Sequence, residues 1–145
     1  MNTRRHALAA LTASFFLGCT AACGESSTAP APNAPFSQTE LRLGTGGAAA
    51  TGNTIVVEYT GWLYDPTKPD NKGLQFDTSA DTTPFEFVLG AGNVIAGWDR
   101  GLVGLRVGGA RRLVVPPSLA YGEVRRGPIP PNSGLVFDVE LLEIK

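Results

Sequence analysis

Short stretches in which apolar and polar positions alternate run along most of the chain, punctuated by Gly and Pro. The stretch "TIVVEYTGWLY" (54–64) is rich in β-branched and aromatic residues and puts Ile55, Val57, Tyr59 and Leu63 on one face of a strand. "GLQFDTS" (73–79) and "PFEFVL" (84–89) follow, the latter setting Phe85, Phe87 and Leu89 against Glu86 and Val88. "ARRLVVP" (110–116) and "GLVFDVELLEIK" (134–145) complete five predicted strands. In the last of these the apolar parity changes: Leu135, Phe137, Val139 and Leu141 share a face, but Leu142 and Ile144 do not follow it. Such a slip predicts a β-bulge near 141–142, because one extra residue turns every later side chain to the other face.

One segment has helical spacing. In "VIAGWDRGL" (94–102), Val94, Ile95, Trp98 and Leu102 fall near one face. Gly97 and Gly101 weaken it, each by about 1 kcal/mol relative to Ala. Glycine at those positions is expected if sheet and helix backbones approach closely, and Trp98 then points into the concave face of the sheet. "PSLAYG" (117–122) allows one more short turn. The pattern predicts an α+β fold, a curved antiparallel sheet of about five strands wrapped around one short α-helix. The aromatics at 59, 76, 85, 87 and 137 are expected around Trp98. Most such rings are simply core, but Asp77 directly after Phe76 puts a carboxylate in the same cluster and suggests a lined pocket. A short acid in "FDTS" also suits a local backbone cap.

Composition narrows the chemistry. The chain has 145 residues, 43% of them hydrophobic, and a formal net charge of −1. From Phe36 onward 10 Lys/Arg face 12 Asp/Glu, so nothing in the charge balance argues for nucleic acid. Arg111-Arg112 and Arg125-Arg126 read as solvated surface pairs. The single histidine is His6 and the two cysteines are Cys19 and Cys23. The rest of the chain therefore cannot assemble a His or Cys metal site, a Cys-His nucleophile or a Ser-His-Asp triad, and neither metal nor cofactor is expected.

The N-terminus reads as a leader. Residues 1–18 carry Arg4-Arg5 followed by an apolar run from Ala7 to Leu17, the form of a signal peptide. Eleven residues are too few to span a bilayer as a helix. "TRRHAL" resembles a twin-arginine motif with Ala7 in place of a bulky residue, so the Sec and Tat routes both stay open. "FLGC" (16–19) resembles a bacterial lipoprotein box, making Cys19 the lipid attachment site and anchoring an exported protein to a membrane of the periplasm or cell envelope. The competing reading is ordinary cleavage near Thr20-Ala21-Ala22. Residues 19–37 are small, polar and Pro-rich, a composition that does not offset its ordering entropy, and are expected to form a tether, of which the seventeen residues Cys19–Pro35 reach roughly 50 Å. The folded domain is then 38–145, with nothing to suggest more than a monomer.

In order and spacing, "VVEYTGWL", "QFDTS", "PFEFVLG", "VIAGWDRGL", "LAYG" and "IPPNSGLVFDVELL" resemble the FKBP-type peptidyl-prolyl cis-trans isomerases from about Thr39 to Lys145. The resemblance implies a pocket formed by Tyr59, Phe76, Asp77, Phe85, Val94, Ile95, Trp98, Tyr121, Ile129 and Phe137. It implies Trp98 as the floor under a substrate proline and the Ile95 amide and Tyr121 hydroxyl as donors to substrate carbonyls. Asp77 is implied to orient its neighbours and polarise the pocket. Partners implied are proline-containing polypeptides and macrolide ligands.

Two departures from the family pattern bear on specificity: a long loop at 65–72, expected near the pocket rim, and a short one at 122–129 that carries Arg125-Arg126. Two functions fit these residues. One is an isomerase of exported proteins that uses no covalent, acid-base or metal chemistry. The other is a chaperone or binding module that holds proline segments with little turnover.

Overall fold

The computed structural model describes residues 34–145. The expected signal peptide, Cys19 and most of the expected tether lie outside the described residues. Six strands form one antiparallel sheet: β1 (Ser37–Arg42), β2 (Thr54–Tyr64), β3 (Lys72–Thr78), β4 (Phe85–Val88), β5 (Ala110–Val115) and β6 (Leu135–Ile144). The order is β1-β5-β6-β2-β3, with β4 sharing the β3 edge of β2. The long β2 pairs with β6 along its length, while β4 takes Thr54–Val57 and β3 takes Thr60–Tyr64 on the other side. The α+β reading stands, with one strand more than the sequence pattern predicts. That strand is β1, exposed at every position, so its sequence carries no apolar alternation. Ahead of it Ala34 is buried against Val114 and Val136.

The predicted bulge is present. Val57 faces Leu141 but Val56 faces Glu143, leaving Leu142 as the extra residue. Upstream of it Leu135, Phe137, Val139 and Leu141 are all buried on the inner face. They meet Ile55 and Val57 of β2, Leu113 and Val115 of β5, and Leu102 at the end of the helix.

The helix, α1 (Ala96–Gly101), is shorter than the predicted 94–102: Val94 precedes it and Ile95 is its N-cap residue. Its glycines do face the sheet, but not for the expected reason. A Cβ on Gly97 would lie 2.4 Å from Val115 Cγ1, and one on Gly101 2.6 Å from Leu113 Cδ2. Side chains of β5, rather than sheet backbone, occupy the space the glycines leave, and this draws α1 onto the sheet.

The basic pair of β5 is not the solvated pair the sequence suggests. Arg111 is 8% exposed and turned to the helix side. Its Nη1 donates to the carbonyls of Gly101 (2.7 Å) and Val103 (2.9 Å), satisfying acceptors at the C-terminal end of α1. The same guanidinium pairs with Glu40, its cross-strand neighbour on β1. A cation there also complements the helix dipole.

Arg112, on the opposite face, makes a two-pronged contact with Asp138 at 2.7 and 3.0 Å. Lys72 joins that carboxylate at 2.7 Å and lies over the Trp62 ring. Burial alone would raise the Asp138 pKa, but the hydrogen bonds from Arg112 and Lys72 outweigh it and hold the carboxyl below its ordinary value. Arg112 also reaches Asp70 at 3.1 Å, pinning the 65–72 loop to this outer face.

Candidate active site

Trp98 projects from α1 into the hollow of the sheet and is 4% exposed. Four rings surround it. Tyr59 (β2) and Phe137 (β6) stand edge-on with centroids at 5.0 and 5.3 Å, and Phe87 and Phe85 of β4 lie at 5.7 and 6.2 Å. Edge-to-face contacts of this kind add about 0.5–1.5 kcal/mol each beyond area burial. Phe76 of β3 stands edge-on to Phe137 at 5.7 Å. Both rings cross β2 at Gly61, where a Cβ would come within 2.7 Å of Phe76 and 2.9 Å of Phe137. The indole Nε1–H of Trp98 is buried without a hydrogen-bond partner among the described residues.

Above this floor opens a cleft lined by Tyr59, Phe76, Asp77, Phe85, Asn93, Val94, Ile95, Trp98, Tyr121 and Phe137. Nine of the ten pocket residues implied by resemblance are therefore brought together. The tenth, Ile129, is buried in the main core and is not among the residues that line the cleft. Asn93 is the lining residue sequence reasoning missed, a polar turn residue with no periodic signal. None of residues 65–72 reaches the cleft, because that loop is held on the far face of the sheet by Arg112.

Polar groups in the cleft divide into engaged and free. The Tyr59 hydroxyl donates to Asp77 Oδ2 at 2.6 Å, and Asp77 Oδ1 accepts the Thr78 backbone N–H at 2.9 Å. Asp77 thus acts both as the local cap its sequence suggests and as a pocket wall. Burial, reinforced by the Asp77 carboxylate, pushes the Tyr59 pKa well above the ordinary phenol value. The Tyr121 pKa is also raised, mainly by burial, with the nearby Arg126 acting in the other direction. By contrast, the Tyr121 hydroxyl and the Ile95 N–H donate to no acceptor among the described residues. Both are donors available to a ligand in the cleft.

The turn that brings Val94 and Ile95 to the cleft is fastened to α1 by Asp99, whose carboxylate accepts the N–H groups of Gly90 (2.8 Å) and Gly92 (3.0 Å). Tyr121 is delivered by a 3-10 turn at Pro117–Leu119, and the Gly122 carbonyl accepts the Asn132 N–H at 2.7 Å. That bond closes the base of the loop beyond it. The site is thus an apolar, ring-walled cleft with two free donors at its edge and one carboxylate already engaged. Such a site can bind a compact apolar ring and hold the polar backbone on either side of it.

Comparison with known proteins agrees with this geometry. Residues 46–142 match the family model described as FKBP-type peptidyl-prolyl cis-trans isomerase. The chain is 50% identical over 106 residues to FK506-binding protein 4 of Aspergillus fumigatus, covering 73% of this chain and 20% of that protein. It thus spans about a fifth of the length of such fungal relatives. The fold is similar to the crystal structure of AtFKBP13, with a TM-score of 0.66 and 35% identity, covering 77% of this chain and 96% of that one. It is also similar to FkpA from Escherichia coli, with a TM-score of 0.65 and 39% identity over 84% of this chain and 53% of that one.

Proposed function

Because the chain belongs to the family of FKBP-type peptidyl-prolyl cis-trans isomerases, we propose that it accelerates rotation about Xaa-Pro bonds in polypeptides that fold outside the cytoplasm. The observation that carries this reading is the cleft itself, with Trp98 as an apolar floor and two free donors at the edge. Rotation about an Xaa-Pro amide meets a barrier of about 18–20 kcal/mol and takes tens to hundreds of seconds unaided. No bond is broken, so no nucleophile, general base or metal is needed.

The planar amide is more dipolar than the twisted one. Moving it from water into a cleft of rings costs the ground state more than the transition state, which lowers the barrier. In this reading the proline ring rests on Trp98 while the Ile95 N–H and the Tyr121 hydroxyl hold the flanking carbonyls, adding orientation. Asp77 fixes the Tyr59 ring through the hydroxyl hydrogen bond. An acceleration of a thousandfold requires only about 4 kcal/mol. Relatives named for binding FK506 extend the proposal to macrolide ligands in the same cleft.

The leader adds location to the proposal: a monomeric, exported lipoprotein held at a membrane through Cys19. Its support is the sequence alone, the Arg4-Arg5 start, the Ala7–Leu17 run and "FLGC". The experiment for the activity is exchange spectroscopy by NMR on a capped Ala-Leu-Pro-Phe peptide. Cross-peaks between cis and trans forms that appear only with protein support an isomerase. Shifted peptide signals without exchange contradict turnover and favour a module that holds proline segments.

A further inference from the structure

We infer that Arg125 and Arg126 make this cleft select substrates that carry a carboxylate within two residues of the proline. The inference rests on the isomerase reading and names the substrate class of that same site.

The loop that carries the two arginines is fixed rather than loose. Its base is closed by the Asn132 N–H on the Gly122 carbonyl. Its tip is closed by a reciprocal pair of backbone hydrogen bonds between Arg126 and Ile129, at 3.0 and 2.8 Å. Ile129, buried in the core, roots the tip. The closure turns Arg126 back toward the cleft, with its guanidinium 5.5 Å from the centroid of the Tyr121 ring. Tyr121 lines the cleft and presents a free hydroxyl there.

Neither arginine is paired. Both are exposed, and neither lies in an ion pair with an acid of the described residues, Glu123 of the same loop included. Arg111, Arg112 and Arg42, by contrast, all hold carboxylates. The acid that lines the cleft, Asp77, already accepts hydrogen bonds from Tyr59 and Thr78. The one carboxylate of the cleft is thus engaged, while unpaired positive charge lies beside Tyr121. A peptide whose proline rests on Trp98 and whose carbonyl meets the Tyr121 hydroxyl comes within one or two residues of Arg126, which lies over the Tyr121 ring, with Arg125 its neighbour in the chain, since each extended residue advances about 3.3–3.6 Å. An acidic side chain there gains a charge-assisted contact, and a basic one is repelled.

The contact is at the surface, so its effect is modest. Exposed ion pairs are worth a few tenths to about 1 kcal/mol, or roughly a two- to fivefold preference. The test uses neutral-capped proline peptides with Glu, Gln or Lys at each of the two positions on either side of the proline, and reads kcat/KM and Kd at low salt. The expected result is Glu over Gln over Lys at one position at least, with a Glu:Gln ratio of about threefold. That ratio should approach one at about 0.5 M salt and in the double variant Arg125→Gln/Arg126→Gln. The reversal Arg126→Glu should lower the Glu:Gln ratio below that of the double variant and raise Lys. A Glu:Gln ratio of one or less at every position in the wild type overturns the inference. So does a preference for Glu that survives in the double variant. Absence of turnover with every peptide, Gln included, overturns the isomerase reading, and the Kd ratios then decide the charge preference by the same criteria.

Discussion

Val115 stands in the space before Gly97, its Cγ1 2.4 Å from where a Cβ at that residue would lie. Val115 is fully buried on a strand flanked by β1 and β6, so it has little room to yield. Gly97→Ala should therefore destabilise the fold by about 1–2 kcal/mol, overpacking outweighing the better helix propensity of Ala. Shortening the opposing residue relieves the clash. Urea denaturation of Gly97→Ala, Val115→Ala and the pair should show the double variant more stable than the sum of the single losses by at least about 0.5 kcal/mol. Additive losses would mean that the two residues do not compete for one space.

The Tyr59–Asp77 hydrogen bond predicts how stability depends on alkaline pH. The folded-state pKa of Tyr59 is raised above its unfolded value, by burial and by the Asp77 carboxylate. The stabilisation is then fully present below about pH 10, the unfolded value, and is lost as pH rises through the folded one. Thermal melts should show stability falling above about pH 10, with a shallower fall for Tyr59→Phe. Phenolate absorbance should show Tyr59 titrating closer to the ordinary value in Asp77→Asn. An unchanged Tyr59 titration in Asp77→Asn contradicts the role given to this carboxylate.

Arg111 ties the end of α1 to β1. Arg111→Met leaves the Gly101 and Val103 carbonyls without their donor and Glu40 without its partner. The expected loss is about 2–3 kcal/mol. Arg111→Lys keeps the charge but not the planar fork, and should recover only part of it. Full recovery by Lys, measured by chemical denaturation, would show that charge rather than fork geometry caps the helix.

How far the sequence carries can be seen in β6 and β1. Each buried strand has one face in the core, so its alternation is written in the residues, and the slip at Leu142 could be located from parity alone. β1 has neither face buried and is held by backbone pairing to β5, which leaves no mark in side-chain chemistry. Arg111 was illegible for a related reason: its burial depends on where a helix ten residues earlier in the chain ends. The cleft was largely legible because most of its lining residues lie in strongly patterned segments. Asn93 was missed, and the burial of Ile129 beneath the loop was not seen, since neither segment has a period from which direction can be read.

The lipoprotein proposal predicts a change of compartment. Wild-type protein should sediment with membranes and carry a lipid-sized mass increase on Cys19, and Cys19→Ala should move to the soluble fraction. Cys23→Ala should leave the distribution unaltered. A soluble mature protein with an unmodified N-terminus near Ala22 contradicts anchoring.

If the ring-walled cleft over Trp98 turns prolyl bonds, the protein raises the rate of cis-to-trans conversion of capped Ala-Leu-Pro-Phe. That rate should rise linearly with wild-type concentration above the spontaneous value. Trp98→Leu, which keeps an apolar side chain but lowers the floor, should reduce the slope by tenfold or more, at least about 1.4 kcal/mol of barrier, at a temperature where its melt shows it folded. Wild-type protein that binds the peptide without raising the rate, or Trp98→Leu with the wild-type slope, would contradict the account.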